Sequence, residues 1–154
     1  MPTPLDNRIP PPIMTVFVGM AMLVASSVTP TIHLAPPARY GITALVLLVA
    51  GIFGGSAFAA FGRAQTTINP VRIDQASALV TTGIYSVTRN PMYVALTALL
   101  VALACGLSNA WLLLGPLGFA LFTSRFQILP EERAMHTKFG DAFTTYCARV
   151  RRWL

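Results

Sequence analysis

The chain has 154 residues and a formal charge of +6, with 55% hydrophobic and only 10% charged residues, and a mean hydropathy of +0.64. Ordinary soluble domains carry roughly 25% charged residues, so this composition excludes a water-soluble enzyme, and one domain's length leaves no room for a separate soluble catalytic module. The basic residues flank apolar runs, which assigns the positive charge to membrane topology before nucleic acid or an anionic ligand.

Residues 1–12 hold five prolines and one arginine. They lack the basic n-region and cleavage site of a secretory signal and read as a short tail. Uncharged apolar runs follow at 13–29, 42–61, 92–107 and 111–122, the last extending toward Arg125. At 1.5 Å per residue such runs span roughly 24–30 Å, marginal to adequate for a hydrocarbon core. Backbone in lipid must satisfy its own hydrogen bonds, so the runs are predicted to be helices. No run alternates with a period of two, which argues against a barrel. The expected fold is all-α integral membrane, with about four transmembrane helices.

A proline-rich loop at 30–41 joins the first two helices, and a long polar segment at 63–90 joins the second to the third. The tight turn at 106–109 makes helices three and four an antiparallel hairpin. A polar, basic tail fills 130–154. Ten of the eleven Lys and Arg residues fall in the N-terminal tail, the 63–90 segment and the residues from 125 onward; Arg39 alone falls on the other face. That asymmetry places both termini in the cytoplasm. The expected organisation is a single membrane domain, 1–154. Residues 1–62 are the tail and two helices, and 63–154 are the portion bearing the chemistry. Gly51 and Gly55 form a GxxxG pair, which suits close helix packing within the chain or a homodimer contact. Cys105 and Cys147 fall on opposite faces and are not expected to pair, and no metal-ligand spacing occurs.

The bilayer runs offer almost no polar groups. The cytoplasmic face offers two clusters, which the helical hairpin brings together. Residues 83–93 read GIYSVTRNPMY. Gly83 can supply a positive-φ turn. Pro91 suits the first turn of helix three, with Asn90 before it as a candidate N-cap. The free N–H groups there could hold an anion, or the segment could simply cap a helix at the interface. In the second cluster Pro130, Glu131 and Glu132 make a helix start with acids in its first turn. Met135, Phe139, Phe143 and Tyr146 then form the stripe of an amphipathic helix, lying on the membrane or packing on the bundle. Arg149, Arg151, Arg152 and Trp153 close the chain as a candidate interfacial anchor.

These two clusters, in this order around a hairpin, resemble the isoprenylcysteine carboxyl methyltransferase family, grouped with the membrane phospholipid methyltransferases. The matching stretches are GIYSVTRNPMY at 83–93, EERAM at 131–135, Phe139-Gly140, Tyr146 and RRW at 151–153. The resemblance covers about residues 65–154. It differs at Asn90, where the family has His, at Ile84 for Pro, and at Met135 for Leu. It implies an S-adenosylmethionine (SAM) dependent methyltransferase without a Rossmann fold, releasing S-adenosylhomocysteine. Gly83, Tyr85, Arg89, Asn90, Pro91, Tyr93, Glu131 and Glu132 would line the cofactor site. Arg149 or Arg151 would orient an anionic acceptor, and these two with Glu132 make up the implied catalytic set.

A carboxylate acceptor needs an arginine and no base, whereas an amine, as on phosphatidylethanolamine, needs a carboxylate base. The favoured acceptor is a lipophilic carboxylate, either a small molecule or a lipidated chain, reached from membrane lipid. A phospholipid or amine N-methyltransferase is the alternative. An NADPH-dependent membrane reductase and a non-catalytic scaffold are the rivals from other classes. No metal and no nucleic acid partner is expected. The location is a multi-pass membrane protein (inner membrane in a bacterium, endoplasmic reticulum in a eukaryote) with its site facing the cytoplasm.

Overall fold

The protein is described by a computed structural model that covers residue 6 and residues 8–64 and 79–154, without the side chains of 61, 63 and 64. Most of the polar connector counted for topology, including Arg72, and the Arg63 side chain lie outside the described residues. All regular structure among the described residues is helical. The helices are α1 (Pro11–Ser26), α2 (Pro36–Ala64), α3 (Pro91–Gly106), α4 (Leu114–Thr123) and α5 (Leu129–Arg149), with short 3-10 turns at Gly83–Ser86 and Ala110–Leu113.

Prolines mark the starts. Pro11, Pro36 and Pro91 each open a helix, where the missing N–H has no intrahelical partner in any case. The second helix therefore begins at Pro36, before the 42 expected from hydropathy alone.

α2 and α3 form the largest helix–helix interface. Close approach there uses Gly54, where an added Cβ would stand 3.4 Å from the Ala95 Cβ. Gly51 and Gly55 face open space instead, so the packing within the chain falls to their neighbour. α1 lies against α3 and α4 around Met22, Leu100, Ala104, Leu112 and Phe119.

The far end of the bundle is tied by polar contacts. Ser108 turns the chain at φ 51°. The Ile32 N–H donates to the Ser108 carbonyl at 2.7 Å, and Asn109 Nδ2 donates to Thr29 Oγ1 at 2.7 Å. The Arg39 guanidinium donates from Nε (2.7 Å) and Nη2 to the Gly106 carbonyl. A cation thus sits at the negative C-terminal end of α3.

The expected break before the tail helix is absent. Residues Ala110–Arg149 run without an intervening loop as one helical rod of 40 residues, kinked at Gly140, longer in chain than a hydrocarbon core requires. A π-helical turn at Ser124–Ile128 joins α4 to α5. Pro130 cannot donate a backbone hydrogen bond, and the wider π turn immediately before it accommodates that loss. The apolar part of the rod is 110–123; beyond the bulge the side chains are polar and charged. Gly140, at φ 51° and ψ −124°, kinks α5. The Met135, Phe139, Phe143 and Tyr146 stripe packs with Leu79, Cys147 and Val150, so it closes on the segment before α3 and on the C-terminal tail.

Two helices, within Pro36–Ala60 and Ala110–Arg149, are long and apolar enough to cross a membrane, while Pro11–Ser26 and Pro91–Gly106 are shorter apolar helices. Large apolar side chains cover the outside: Phe17 and Val24 on α1, Leu45 and Leu48 on α2, and Leu117 and Leu121 on α4 are all exposed. In water such patches are rare outside interaction sites; in lipid they need no cover.

Candidate active site

The helix hairpin carries the two polar clusters to one end of the bundle, where they interlock. Gly83 takes φ 64°, as a turn entering the Gly83–Ser86 segment requires. That turn buries Tyr85 against Ala57 and Ala60 of α2. The Tyr146 hydroxyl of α5 donates to the Tyr85 carbonyl at 2.6 Å. Pro91 is buried in the first turn of α3.

Asn90 occupies the N-cap position of α3, yet its side chain makes no capping bond. Its own N–H donates to Thr88 Oγ1 at 3.2 Å, and its Nδ2 donates to the Arg152 carbonyl at 2.9 Å. The anticipated cap is thus replaced by a tie to the C-terminal tail. An amide does this without any titration, so Asn in the place of His keeps a donor at this point.

The neighbouring glutamates have opposite surroundings. Arg152 grips both oxygens of Glu132, at 3.0 Å from Nε and 2.6 Å from Nη2, and Arg89 Nη2 lies 3.1 Å away. This carboxylate is fully engaged. Glu131 accepts one short bond, from the Tyr93 hydroxyl to Oε1 at 2.6 Å. Burial lifts its carboxyl from the ordinary 4.5 to about 7; the Tyr93 hydrogen bond acts against that rise and the Glu132 charge adds to it. Arg89 is largely covered, contacts Cys147 Sγ through Nη1, and leaves a buried Nε without an acceptor among the described residues.

Of the arginines singled out in the tail, Arg149 and Arg151 are exposed. Arg151 joins the cluster through its backbone, its carbonyl accepting from the Arg89 N–H at 2.9 Å. Arg152 is the side chain that enters. The helix ends at Arg149 and Val150 is extended, so successive side chains point to opposite sides. The charge pattern of three arginines gave no means of choosing among them. Thr88, which donates to the Arg152 carbonyl at 3.1 Å, has no signal in the sequence, and Trp153, expected as an interfacial anchor, instead donates from Nε1 to Ser124 Oγ at 3.0 Å. Both contacts depend on a tail whose path only the fold defines.

The geometry is therefore an interlocked polar cluster, a floor of charged and hydrogen-bonding groups, at the end of an apolar bundle, with no cluster of metal-ligating side chains among the described residues. A family model described as phospholipid methyltransferase matches residues 38–142, which takes in α2, α3, α4, both glutamates and the hairpin between the clusters. The chain belongs to the phospholipid methyltransferase family. Membership makes it a membrane methyltransferase, with SAM the implied methyl donor. The chain is also 41% identical over 63 residues to an uncharacterized protein of Haemophilus influenzae, a match spanning 41% of this chain and 100% of that protein. No solved structure matches it.

Proposed function

We propose that this protein transfers a methyl group from SAM to a lipophilic acceptor at the cytoplasmic membrane face. The observation that carries the reading is the asymmetry of the glutamates. Glu132 is consumed by two arginines, Arg152 and Arg89, whereas among the described residues Glu131 keeps one oxygen without a partner, and the Nε of Arg89, itself paired to Glu132 through Nη2, lacks an acceptor. A spare carboxylate oxygen and a spare buried N–H donor together suit the ammonium and carboxylate of an amino-acid moiety, which SAM carries. Gly83, Tyr85, Asn90, Pro91 and Tyr93 frame this floor, and Glu132 acts by fixing the arginines. When bound, SAM supplies an electrophilic methyl on a sulfonium. The chain's part is to align the acceptor with it, exclude water and leave no excess positive charge beside the sulfur.

All four apolar helices cross the bilayer in this reading, with both termini and the site in the cytoplasm. The acceptor arrives laterally from the lipid. Exposed Arg149 and Arg151 draw an anionic headgroup, which makes a lipophilic carboxylate the first acceptor to try. One observation favours an amine, as on a phospholipid: burial lifts the Glu131 carboxyl to about 7, which suits it to take a proton from an ammonium, in which case Glu131 is the base and does not hold the SAM ammonium. The outward Gly51 and Gly55 suit a second copy of the chain, and cross-linking between cysteines placed at these positions tests that contact.

Calorimetry with S-adenosylhomocysteine and NADPH on the purified protein tests the class. Binding of the former alone supports the reading, whereas binding of NADPH alone overturns it. Methyl transfer from labelled SAM into vesicles holding either phosphatidylethanolamine or a prenylated cysteine carboxylate then separates the two acceptors.

A further inference from the structure

The end of the chain is a strap across the entrance to α3. The Arg89 N–H donates to the Arg151 carbonyl at 2.9 Å. Thr88 Oγ1 and Asn90 Nδ2 both donate to the Arg152 carbonyl, at 3.1 and 2.9 Å. The Arg152 guanidinium closes on Glu132, and Trp153 is pinned to Ser124 in the π turn. Residues 151–153 thereby join three separate parts of the chain: the segment before α3, the bulge after α4, and the first turn of α5.

We infer that Arg152 is a positioning residue for the methyl donor, acting through Glu132 and the 88–90 segment. The assignment rests on the methyltransferase reading. Glu131 and Glu132 are adjacent, and an ammonium entering this floor must meet one carboxylate in one place. Arg152 engages both oxygens of Glu132 and so leaves Glu131 as the available partner. It also shares Glu132 with Arg89, which keeps the Arg89 guanidinium from folding wholly onto that carboxylate. An arginine fork makes two parallel bonds of fixed direction; a lysine offers charge without that geometry. Removing Arg152 would free a second carboxylate beside Glu131 and release the carbonyl to which Thr88 and Asn90 are tied.

The test uses the full-length protein in detergent, with Trp111→Phe added so that Trp153 is the remaining tryptophan. S-adenosylhomocysteine affinity is measured for this background and for Arg152→Ala, Arg152→Lys, Glu132→Gln and the Glu132→Gln/Arg152→Ala pair. Arg152→Ala is expected to weaken binding about tenfold, equivalent to about 1.4 kcal/mol. Arg152→Lys should recover part of that loss. The double variant should bind no worse than the weaker single, since the two residues act as a unit. Trp153 emission should shift to the red in Arg152→Ala as the indole leaves Ser124. A purely structural arginine would lower the melting temperature and leave the affinity of the folded protein unchanged, and that result overturns the inference. If Arg152→Ala does not fold, full wild-type affinity in Arg152→Lys overturns it equally. Failure of the background protein to bind, with Trp153 still responding to Arg152→Lys, would mark the methyltransferase reading as the fault and remove the donor-positioning role with it.

Discussion

Glu131 and Glu132 are chain neighbours of the same chemistry, and the fold gives them different electrostatic fates. Burial raises the Glu131 carboxyl to about 7, so the native state favours its protonated form. That preference stabilises the fold fully below about pH 4.5 and is lost as pH rises through about 7. Thermal unfolding of the wild type followed from pH 5 to 8 should therefore show a decline that Glu131→Gln lacks. Donor binding runs the other way, because the ammonium needs the ionised carboxylate. S-adenosylhomocysteine affinity should rise across the same window and become flat in Glu131→Gln, and a flat wild-type profile would remove Glu131 from the ammonium. At Asn90 the side-chain donor matters more than its acidity. Asn90→His should keep donor binding, whereas Asn90→Leu should cost about 1 kcal/mol in unfolding free energy for the hydrogen bond to the Arg152 carbonyl.

At the scale of elements, α2 and α3 depend on one missing side chain. Gly54 admits Ala95 to contact distance, so Gly54→Leu should separate the helices and lower the melting temperature in detergent. Gly51→Leu, facing open space, should leave the monomer's melting temperature unchanged. The long rod shows a different device. Pro130 and the π turn at Ser124–Ile128 occur together because a helix interior cannot supply a normal bond at proline. The turn also rotates the polar second half of the rod relative to its apolar first half. Gly140, at φ 51°, bends α5 where an L side chain is strained. Gly140→Ala should destabilise by about 1 kcal/mol on chemical unfolding.

Across the whole molecule, the charges segregate for two reasons that hydropathy cannot separate. The single far-side arginine, Arg39, is spent on the Gly106 carbonyl and ties α2 to the turn after α3. Arg39→Ala should lower the melting temperature, because a carbonyl near Thr43 loses its donor. The site-side charges instead interlock around Glu132 and along α5, where Arg133 reaches back to Asp6 at 2.7 Å. Asp6 and the C-terminal strap consequently share one end of the bundle. Single cysteines at Lys138 and Thr29 of a cysteine-free protein, labelled from either side of sealed vesicles, should react from opposite sides.

What the sequence determined by itself followed from local rules. Uncharged runs gave the helices, Pro91 the beginning of α3, Gly83 its turn, and two polar clusters around a hairpin gave groups that the fold brings to one end. These signals are local because hydrogen-bond satisfaction in lipid and backbone sterics act over a few residues. The tertiary structure alone decided which glutamate stays available, which of three tail arginines turns inward, where the Asn90 side chain is spent, and that α4 continues into α5. Each of these depends on partners about twenty to sixty positions away or on the path of an extended tail. Residue type states what a group can bind; only the packed chain states what is left for it to bind.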